Sequence, residues 1–335
     1  MIQLPKVIFG TSGLGNLYEA VSYETKLAII KAYVSNIDGI AVFDTAGKYG
    51  AGLALEVLGK ALQELNIQHD KVIISNKLGW YQVPLTTPEP TFEKGIWRNL
   101  THDAVQKISY DGIMECYHQG NQLLGKYPSQ MASVHDPDEY LAAAINKNDD
   151  EKRYNDILQA YKALFELKHQ GKVLSVGVGA KNWKSIQRIT NDIHLDWVMV
   201  ANSLTLHSHP TELLHFIQQL HRKGTVVINS AVFNGGFLIG QDYYNYEFVD
   251  SNTQKGIELY NWRKRFFDVC DEFKVKPAEA CVNFGLNLPG VSSIALSTIH
   301  PSKVAINLAM ASKQMPQEFW NALYKNQLVR IPFPQ

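Results

Sequence analysis

The sequence is poor in cysteine: only Cys116, Cys270 and Cys281 occur among its 335 residues. Three thiols so widely spaced exclude a disulfide framework and a zinc knuckle, and they favour a reducing compartment. An excess of charge is also missing, because 32 basic side chains balance 32 acidic ones. A neutral chain offers no electrostatic basis for binding nucleic acid or an anionic membrane.

Long apolar runs are missing as well, although 45% of the residues are hydrophobic. No stretch approaches the length that spans a bilayer, and residues 1–6 lack the basic region and cleavage site of a secretory signal. We therefore expect a cytoplasmic protein with a small-molecule substrate and neither a nucleic-acid nor a membrane partner. The sequence leaves the oligomeric state open.

What the chain does contain is a regular alternation of short apolar runs and longer amphipathic stretches. Strand-like runs lie at 7–10, 40–43, 72–75, 131–134, 173–178, 197–201, 226–228 and 292–296. Helices are predicted at 23–35, 53–65, 111–124, 154–169, 184–190, 212–222, 256–273, 302–311 and, as an extra element, 277–287. Strands that are apolar on both faces are typical of a parallel sheet covered by helices. The pattern predicts an α/β fold, a single-domain (β/α)8 TIM barrel over residues 1–335.

A doubly wound open sheet is the structural alternative. Such a sheet normally carries a glycine-rich dinucleotide turn, which opens a helix after its first strand. Gly10, Gly13 and Gly15 have the wrong spacing for that turn, and no helical pattern starts there. We therefore favour the closed barrel.

Three of the strand-like runs end at or just before a titratable residue. The first ends at Asp44, with Tyr49 five residues later, the next leads to Lys77, and another leads to His135. Taken singly, each side chain has an ordinary structural explanation, such as a turn cap or a solvated charge. Because the carboxyl ends of parallel barrel strands meet at one mouth, their joint occurrence predicts an active site there.

These motifs resemble the aldo-keto reductase superfamily over essentially the whole chain. The resemblance rests on FDTA with YG at 43–50, SNK at 75–77 and VHDPD at 134–138. Within the superfamily, segments 109–114, 135–138 and 229–236 are most similar to the branch of aldose 1-dehydrogenases (for L-fucose, D-threo-aldoses or L-galactose) and pyridoxal 4-dehydrogenase.

The resemblance implies an NAD(P)-dependent oxidoreductase that transfers a hydride between a nicotinamide and the anomeric carbon of an aldose. Tyr49 is the expected general acid/base, with Lys77 lowering the pKa of the phenol, Asp44 holding Lys77, and His135 orienting the substrate oxygen. No metal is expected. A broad NADPH-dependent aldehyde or ketone reductase and a nucleotide-binding regulatory subunit remain alternatives.

By the same resemblance, the cofactor-binding residues are Thr11, Asp44, Asn202, Ser230, Phe233, Ser297, Thr298 and Asn307. Gly179 and Ala180 depart from a Ser-Asn pair found in most relatives, and Ser230 replaces a tyrosine that stacks on the nicotinamide. Ile299 stands where NADP-preferring relatives place an arginine for the 2′-phosphate, so NAD is slightly favoured over NADP. Lys303 could compensate for the missing arginine.

The substrate is expected to contact His135 and Trp80. Its identity depends on segments without a clear period: the loop after strand seven, the tail at 331–334, and a long loop insertion at about 78–109 that is expected to cover the barrel mouth. The remaining cluster, His207, His209 and His215, is interpreted as structural, because by the resemblance these residues lie where the family has a βα loop.

Overall fold

Eight parallel strands close into a barrel in the computed structural model, which describes residues 3–332. They are β1 (Val7–Gly10), β2 (Ala41–Ala46), β3 (Val72–Leu78), β4 (Met131–His135), β5 (Ser175–Ala180), β6 (Trp197–Ala201), β7 (Val226–Ser230) and β8 (Ser293–Leu296). Pairing of Val7 with Ile294 joins the first strand to the last. The predicted TIM barrel is confirmed; Phe333 and Pro334 of the predicted tail lie outside the described residues.

Eleven α-helices accompany the strands within residues 3–332. They are α1 (Tyr23–Asn36), α2 (Leu53–Glu64), α3 (Tyr110–Leu124), α4 (Pro137–Ala142), α5 (Lys147–His169), α6 (Trp183–Asp192), α7 (Thr211–Arg222), α8 (Gln254–Glu272), α9 (Pro277–Asn287), α10 (Pro301–Met310) and α11 (Gln317–Lys325). Side-chain caps from Ser22, Ser109, Asn146, Asn182 and Thr253 begin five of them. In the part of the chain described, no helix combines the length and apolarity needed to cross a bilayer.

The barrel interior is packed with side chains. Apolar residues from five of the strands form one buried cluster there: Ile8, Val42, Met131, Trp197, Met199, Val226 and Ile228. The indole of Trp197 needs the space beside Gly177, since a Cβ at that glycine would lie 2.2 Å from the ring. A larger core lies between the strands and the surrounding helices. The barrel is therefore a rigid frame for the side chains at its upper end.

Three connecting segments gather at the upper end, where the strands finish. The insertion is not an irregular loop throughout, because Trp80–Pro84 and His102–Gln106 pair as an antiparallel hairpin. Gln82 ties this hairpin to the body by donating its side-chain N–H to the carbonyl of Ala51. The loop after β1 bridges to the insertion through Leu17 and Trp97, and a second short hairpin, Tyr243–Tyr244 with Glu247–Phe248, follows β7.

Candidate active site

Strand alternation explains how the predicted catalytic residues meet. Side chains two apart on a strand share a face, so Asp44 lies above Val42, Lys77 above Ser75 and Ile73, and His135 above Ser133 and Met131. Val42 and Met131 belong to the interior cluster. All three polar side chains therefore point into the barrel at its upper end, where each is at least 96% buried.

The structure brings the four predicted catalytic residues into one cluster. Lys77 Nζ donates to Asp44 Oδ2 at 2.6 Å and lies 4.6 Å from the centre of the Tyr49 ring. The His135 ring meets the Tyr49 ring edge to face, with centroids 5.5 Å apart. Tyr49 itself is half-buried and lies in the turn that follows β2, where its N–H donates to the carbonyl of Ala46.

Gly179, which departs from the family pattern, leaves space for the side chain of Lys77. It pairs with His135 across β4 and β5, and a Cβ there would lie 2.8 Å from Lys77 Cδ. A larger residue would displace the lysine stem that passes this glycine. The glycine thus gives Lys77 room to reach Asp44.

The electrostatics of the cluster differ from the expectation for Tyr49. Burial, with the charge of Asp44 adding to it, raises the pKa of the Tyr49 phenol well above its usual range. The expected net lowering of this pKa is therefore wrong, because burial and the charge of Asp44 outweigh the lowering by Lys48, and the ammonium of Lys77 is already paired with Asp44. Burial, reinforced by Lys77 and Lys48, holds the pKa of His135 well below its usual range, so the imidazole is neutral.

A second group of charges, which the sequence did not predict, lies beside Tyr49. Lys48 Nζ contacts carboxylate oxygens of Glu93 at 2.8 Å, Asp136 at 3.1 Å and Glu139 at 2.7 Å. Lys181 also pairs with Asp136 and Glu139. We call these five residues the mouth cluster. The only sequence signals were the position of Lys48 next to Tyr49 and of Asp136 next to His135.

The insertion reaches the site through Glu93 and Trp97. Trp97 Nε1 donates to Glu93 Oε2 at 2.7 Å, and its ring packs against Tyr49 with centroids 6.0 Å apart. Trp80 also lies beside the mouth cluster, with Lys48 Nζ 5.1 Å from the centre of its ring. The insertion therefore forms part of the wall around Tyr49.

The predicted cofactor residues lie in or after β1, β2, β6, β7 and β8 and in α10. Thr11 donates its hydroxyl to the carbonyl of Asp44 at 3.0 Å, and Asn202 N donates to the carbonyl of Ser230 at 3.3 Å. Asn202 Oδ1 is buried and has no hydrogen-bond partner among residues 3–332. A free, buried acceptor suits the N–H groups of a carboxamide such as that of nicotinamide.

The remaining predicted cofactor residues are placed by their elements. Phe233 follows β7, Ser297 and Thr298 follow β8, and Asn307 lies in α10. Ile299 packs towards the loop after β1, since a Cβ at Gly13 would lie 2.8 Å from Ile299 Cγ2. The surface that Ile299 contributes is therefore apolar.

The histidines outside the site are bonded within the protein. His207 Nδ1 pairs with the Tyr244 hydroxyl at 2.8 Å, and His209 Nε2 accepts the N–H of Arg330 at 2.8 Å. They lie in a loop after β6 rather than in a strand. Within the described residues, no group of three or more metal-binding side chains comes together.

A closed (β/α)8 barrel with a phenol, an ammonium, a carboxylate and a neutral imidazole at its mouth has the arrangement of a proton-transferring enzyme. The chain belongs to the aldo/keto reductase family, whose model matches residues 6–326. It is an NAD(P)-dependent oxidoreductase that acts on small molecules.

Curated relatives agree with the predicted branch. The chain is 27% identical over 334 residues to pyridoxal 4-dehydrogenase of Microbacterium luteolum, covering 96% of this chain and 93% of the relative. It is 25% identical over 342 residues to D-threo-aldose 1-dehydrogenase of Pseudomonas sp, covering 99% and 96%. The predicted family and branch are thereby confirmed.

Solved structures agree with the fold. A glycerol dehydrogenase from Gluconobacter oxydans has a TM-score of 0.69 at 18% identity, covering 99% of this chain and 94% of that one. An aldo-keto reductase from Bacillus halodurans, in its holo form, has a TM-score of 0.69 at 18% identity, covering 97% and 92%. At this identity they establish the architecture only.

Proposed function

We propose that the protein is a cytoplasmic aldose 1-dehydrogenase. It removes a hydride from the anomeric carbon of a cyclic sugar and the proton from the anomeric hydroxyl, which leaves a lactone. The observation that carries the proposal is the convergence of Asp44, Tyr49, Lys77 and His135 at the barrel mouth. The similarity to a D-threo-aldose 1-dehydrogenase supports the choice of substrate.

Each of the four residues has a role that its surroundings support. Tyr49 accepts the hydroxyl proton, and its ring stays in place between His135 and Trp97. Lys77, fixed by Asp44 at 2.6 Å, provides a cation beside the phenol that stabilises the phenolate once it forms. His135, a neutral donor, orients the anomeric oxygen, and Trp80 lines the sugar site.

The residues at the ends of β1, β6, β7 and β8 suit a nicotinamide dinucleotide. Asn202 would hold the carboxamide, and Ser297, Thr298 and Asn307 would hold the adenosine phosphates, with Thr11, Ser230 and Phe233 completing the wall. When bound, the nicotinamide supplies the acceptor for the hydride.

The test is nicotinamide reduction at mildly alkaline pH, with NAD and NADP in parallel, on fucose, arabinose, galactose and pyridoxal. We expect oxidation of a sugar, faster with NAD. The rate should rise with pH, because the pKa of Tyr49 is raised and the phenol must lose its proton before it can act as a base. The reverse assay uses simple aldehydes.

Two other outcomes would replace this proposal. If only NADPH-driven aldehyde reduction occurs, the protein is a broad aldehyde or ketone reductase, a role that a protonated phenol also suits. If nucleotide binds but neither direction turns over, the regulatory subunit becomes the better explanation.

Replacing Ile299 by arginine is expected to raise the affinity for NADP relative to NAD by roughly tenfold, since a guanidinium there can pair with the 2′-phosphate. Dissociation constants for both nucleotides, from fluorescence titration, provide the measurement. Ile306→Arg is the matched control, because Ile306 lies in α10 and is 56% exposed. An unchanged ratio in Ile299→Arg, or an equal change in the control, would contradict the placement of the 2′-phosphate.

A further inference from the structure

Lys48 is almost completely buried, yet none of the four catalytic roles uses it. Only 2% of the residue is exposed, and its ammonium is surrounded by three carboxylates. These come from two separate segments: Glu93 from the insertion, and Asp136 and Glu139 from the segment in which β4 leads into α4. A buried cation with so many partners has too few free N–H groups to bind substrate. Its role is therefore to fix the positions of the carboxylates around it.

Asp136 is the partner that connects Lys48 to the catalytic residues. Its Oδ2 lies 3.1 Å from Lys48 Nζ, 3.6 Å from His135 Nε2 and 3.8 Å from Lys181 Nζ. Its backbone is in the left-handed region, at φ 46°, and its side chain does not cap α4 although it precedes that helix. Aspartate adopts this conformation more readily than most residues. The three distances place the carboxylate at the mouth, beside His135.

The position of this carboxylate bears on which ring nitrogen of His135 carries the proton. His135 Nδ1 is buried and has no hydrogen-bond partner within residues 3–332, so it favours neither tautomer. A lone pair on Nε2 would face the negative oxygen of Asp136, whereas an N–H there is attracted to it. At 3.6 Å the pair is too far apart for a hydrogen bond, so the Nε2–H remains free for a substrate oxygen.

We propose that Lys48 is a positioning residue for His135: it holds the Asp136 carboxylate at the Nε2 edge of the ring and offsets its charge, so that the imidazole stays neutral with its proton on Nε2. The kinetic consequence rests on the proposed function, in which His135 orients the substrate oxygen. The effect on the ring itself does not depend on the substrate.

The titratable and charged groups around His135 determine the sign of the effect. They are the neutral phenol of Tyr49 and the ammonium of Lys48 after β2, Lys77 on β3, Asp136 after β4, Glu139 on α4 and Lys181 after β5. The three cations and burial oppose protonation of the ring, whereas the carboxylates favour it. The mouth cluster has two cations and three carboxylates, so removing Lys48 increases its negative excess. His135 then binds a second proton at a higher pH.

The direct test is ¹⁵N NMR of the histidine ring nitrogens across pH, with the His135 signals assigned by their loss in His135→Gln. In the wild type we expect a neutral ring protonated on Nε2. In Lys48→Met the ring should titrate at a higher pH, with proton affinity raised about tenfold. Lys48→Arg, which keeps the charge, should restore the wild-type titration. Identical titrations in wild type and Lys48→Met, or a wild-type ring protonated on Nδ1, would overturn the proposal.

Asp136→Asn provides a second variant in case Lys48→Met does not fold, because it leaves Lys48 paired with Glu93 and Glu139. Here the ring should stay neutral but lose its preference for Nε2. A retained full preference for Nε2 in this variant would also overturn the proposal.

Kinetics then connect the ring to the reaction. The pH dependence of kcat/KM in Lys48→Met should show an additional ionisation that is absent from the wild type and from Lys48→Arg. A shifted NMR titration in a protein whose wild type oxidises no sugar would refute the aldose dehydrogenase function and leave the role of Lys48 intact. Sugar oxidation by the wild type, together with an unshifted titration in Lys48→Met, would support the aldose dehydrogenase function and refute the role of Lys48.

Discussion

Replacing Tyr49 by phenylalanine is expected to abolish turnover while leaving nucleotide affinity nearly unchanged. The phenyl ring keeps the contacts with Trp97, His135 and the ammonium of Lys77, so the variant loses only the hydroxyl that exchanges the proton. Proton transfer by a positioned side chain typically contributes about 10²–10⁴-fold to the rate. A loss of that size in kcat, with nucleotide dissociation constants within about twofold of wild type, is the expected pattern.

The matched control for this variant is Tyr246→Phe. Tyr246 lies in the turn of the short hairpin that follows β7, and Lys181 Nζ lies 5.4 Å from the centre of its ring. It is a second phenol close enough for its charge to act on Tyr49, yet the proposed reaction gives it no proton. We expect it to retain most of kcat. Wild-type rates in Tyr49→Phe, or a larger loss in Tyr246→Phe, would show that the proton acceptor has been wrongly assigned.

The barrel could be predicted because its strands are buried on both faces. Each strand is a short apolar run, and the runs recur at spacings that leave room for one helix each. The first two turns of α5 were missed because residues 147–153 are almost entirely polar, so no apolar period marks them. The hairpin within the insertion was missed for a similar reason, since Trp80–Pro84 is half-buried on both faces and shows no clean alternation.

The positions of Asp44, Lys77 and His135 could also be predicted, because side chains two apart on a strand share a face and the carboxyl ends of parallel strands meet at one mouth. The contacts of the mouth cluster could not be predicted. Lys48 meets Asp136 and Glu139 across separations of 88 and 91 residues, and nothing in the local sequence around Glu93 indicates that it turns inward. Contacts made by loops depend on loop conformation, which residue type alone does not determine.

The pKa of Tyr49 could not be predicted from the sequence either. Knowing that a lysine lies nearby indicates a lowered pKa, but the outcome depends on the whole balance of burial and charge. In this site burial and the charge of Asp44 outweigh the lowering by Lys48. Only the three-dimensional arrangement determines whether the pKa of the phenol is raised or lowered.

Replacing Lys77 by methionine is expected to cost both turnover and stability. Methionine retains much of the stem that passes Gly179, so the main loss is the charge. Asp44 is only 3% exposed, and its Oδ1 already lacks a hydrogen-bond partner within the described residues. Removing one member of a buried ion pair typically costs about 3–5 kcal/mol. Loss of the cation beside the phenol should also lower kcat by about 10²-fold or more.

The stability loss should depend on pH in a defined direction. Burial raises the pKa of Asp44, and Lys77 opposes that rise, so without Lys77 the pKa rises further. A carboxyl group whose pKa is higher in the folded than in the unfolded state favours folding at low pH. That contribution is lost as the pH rises through the folded-state pKa. Urea unfolding should therefore show the variant falling further below wild type at about pH 8 than at about pH 5.

The double variant Asp44→Asn with Lys77→Met separates the two effects. An amide fills the same space without a charge, so we expect it to recover most of the lost stability and to abolish the extra pH dependence, because replacing both partners of a buried pair is often neutral. It should not recover turnover, since the cation beside Tyr49 is still absent. Equal stability of the single and double variants would mean that Lys77 does not compensate Asp44. Recovered turnover would mean that the phenol works without the cation.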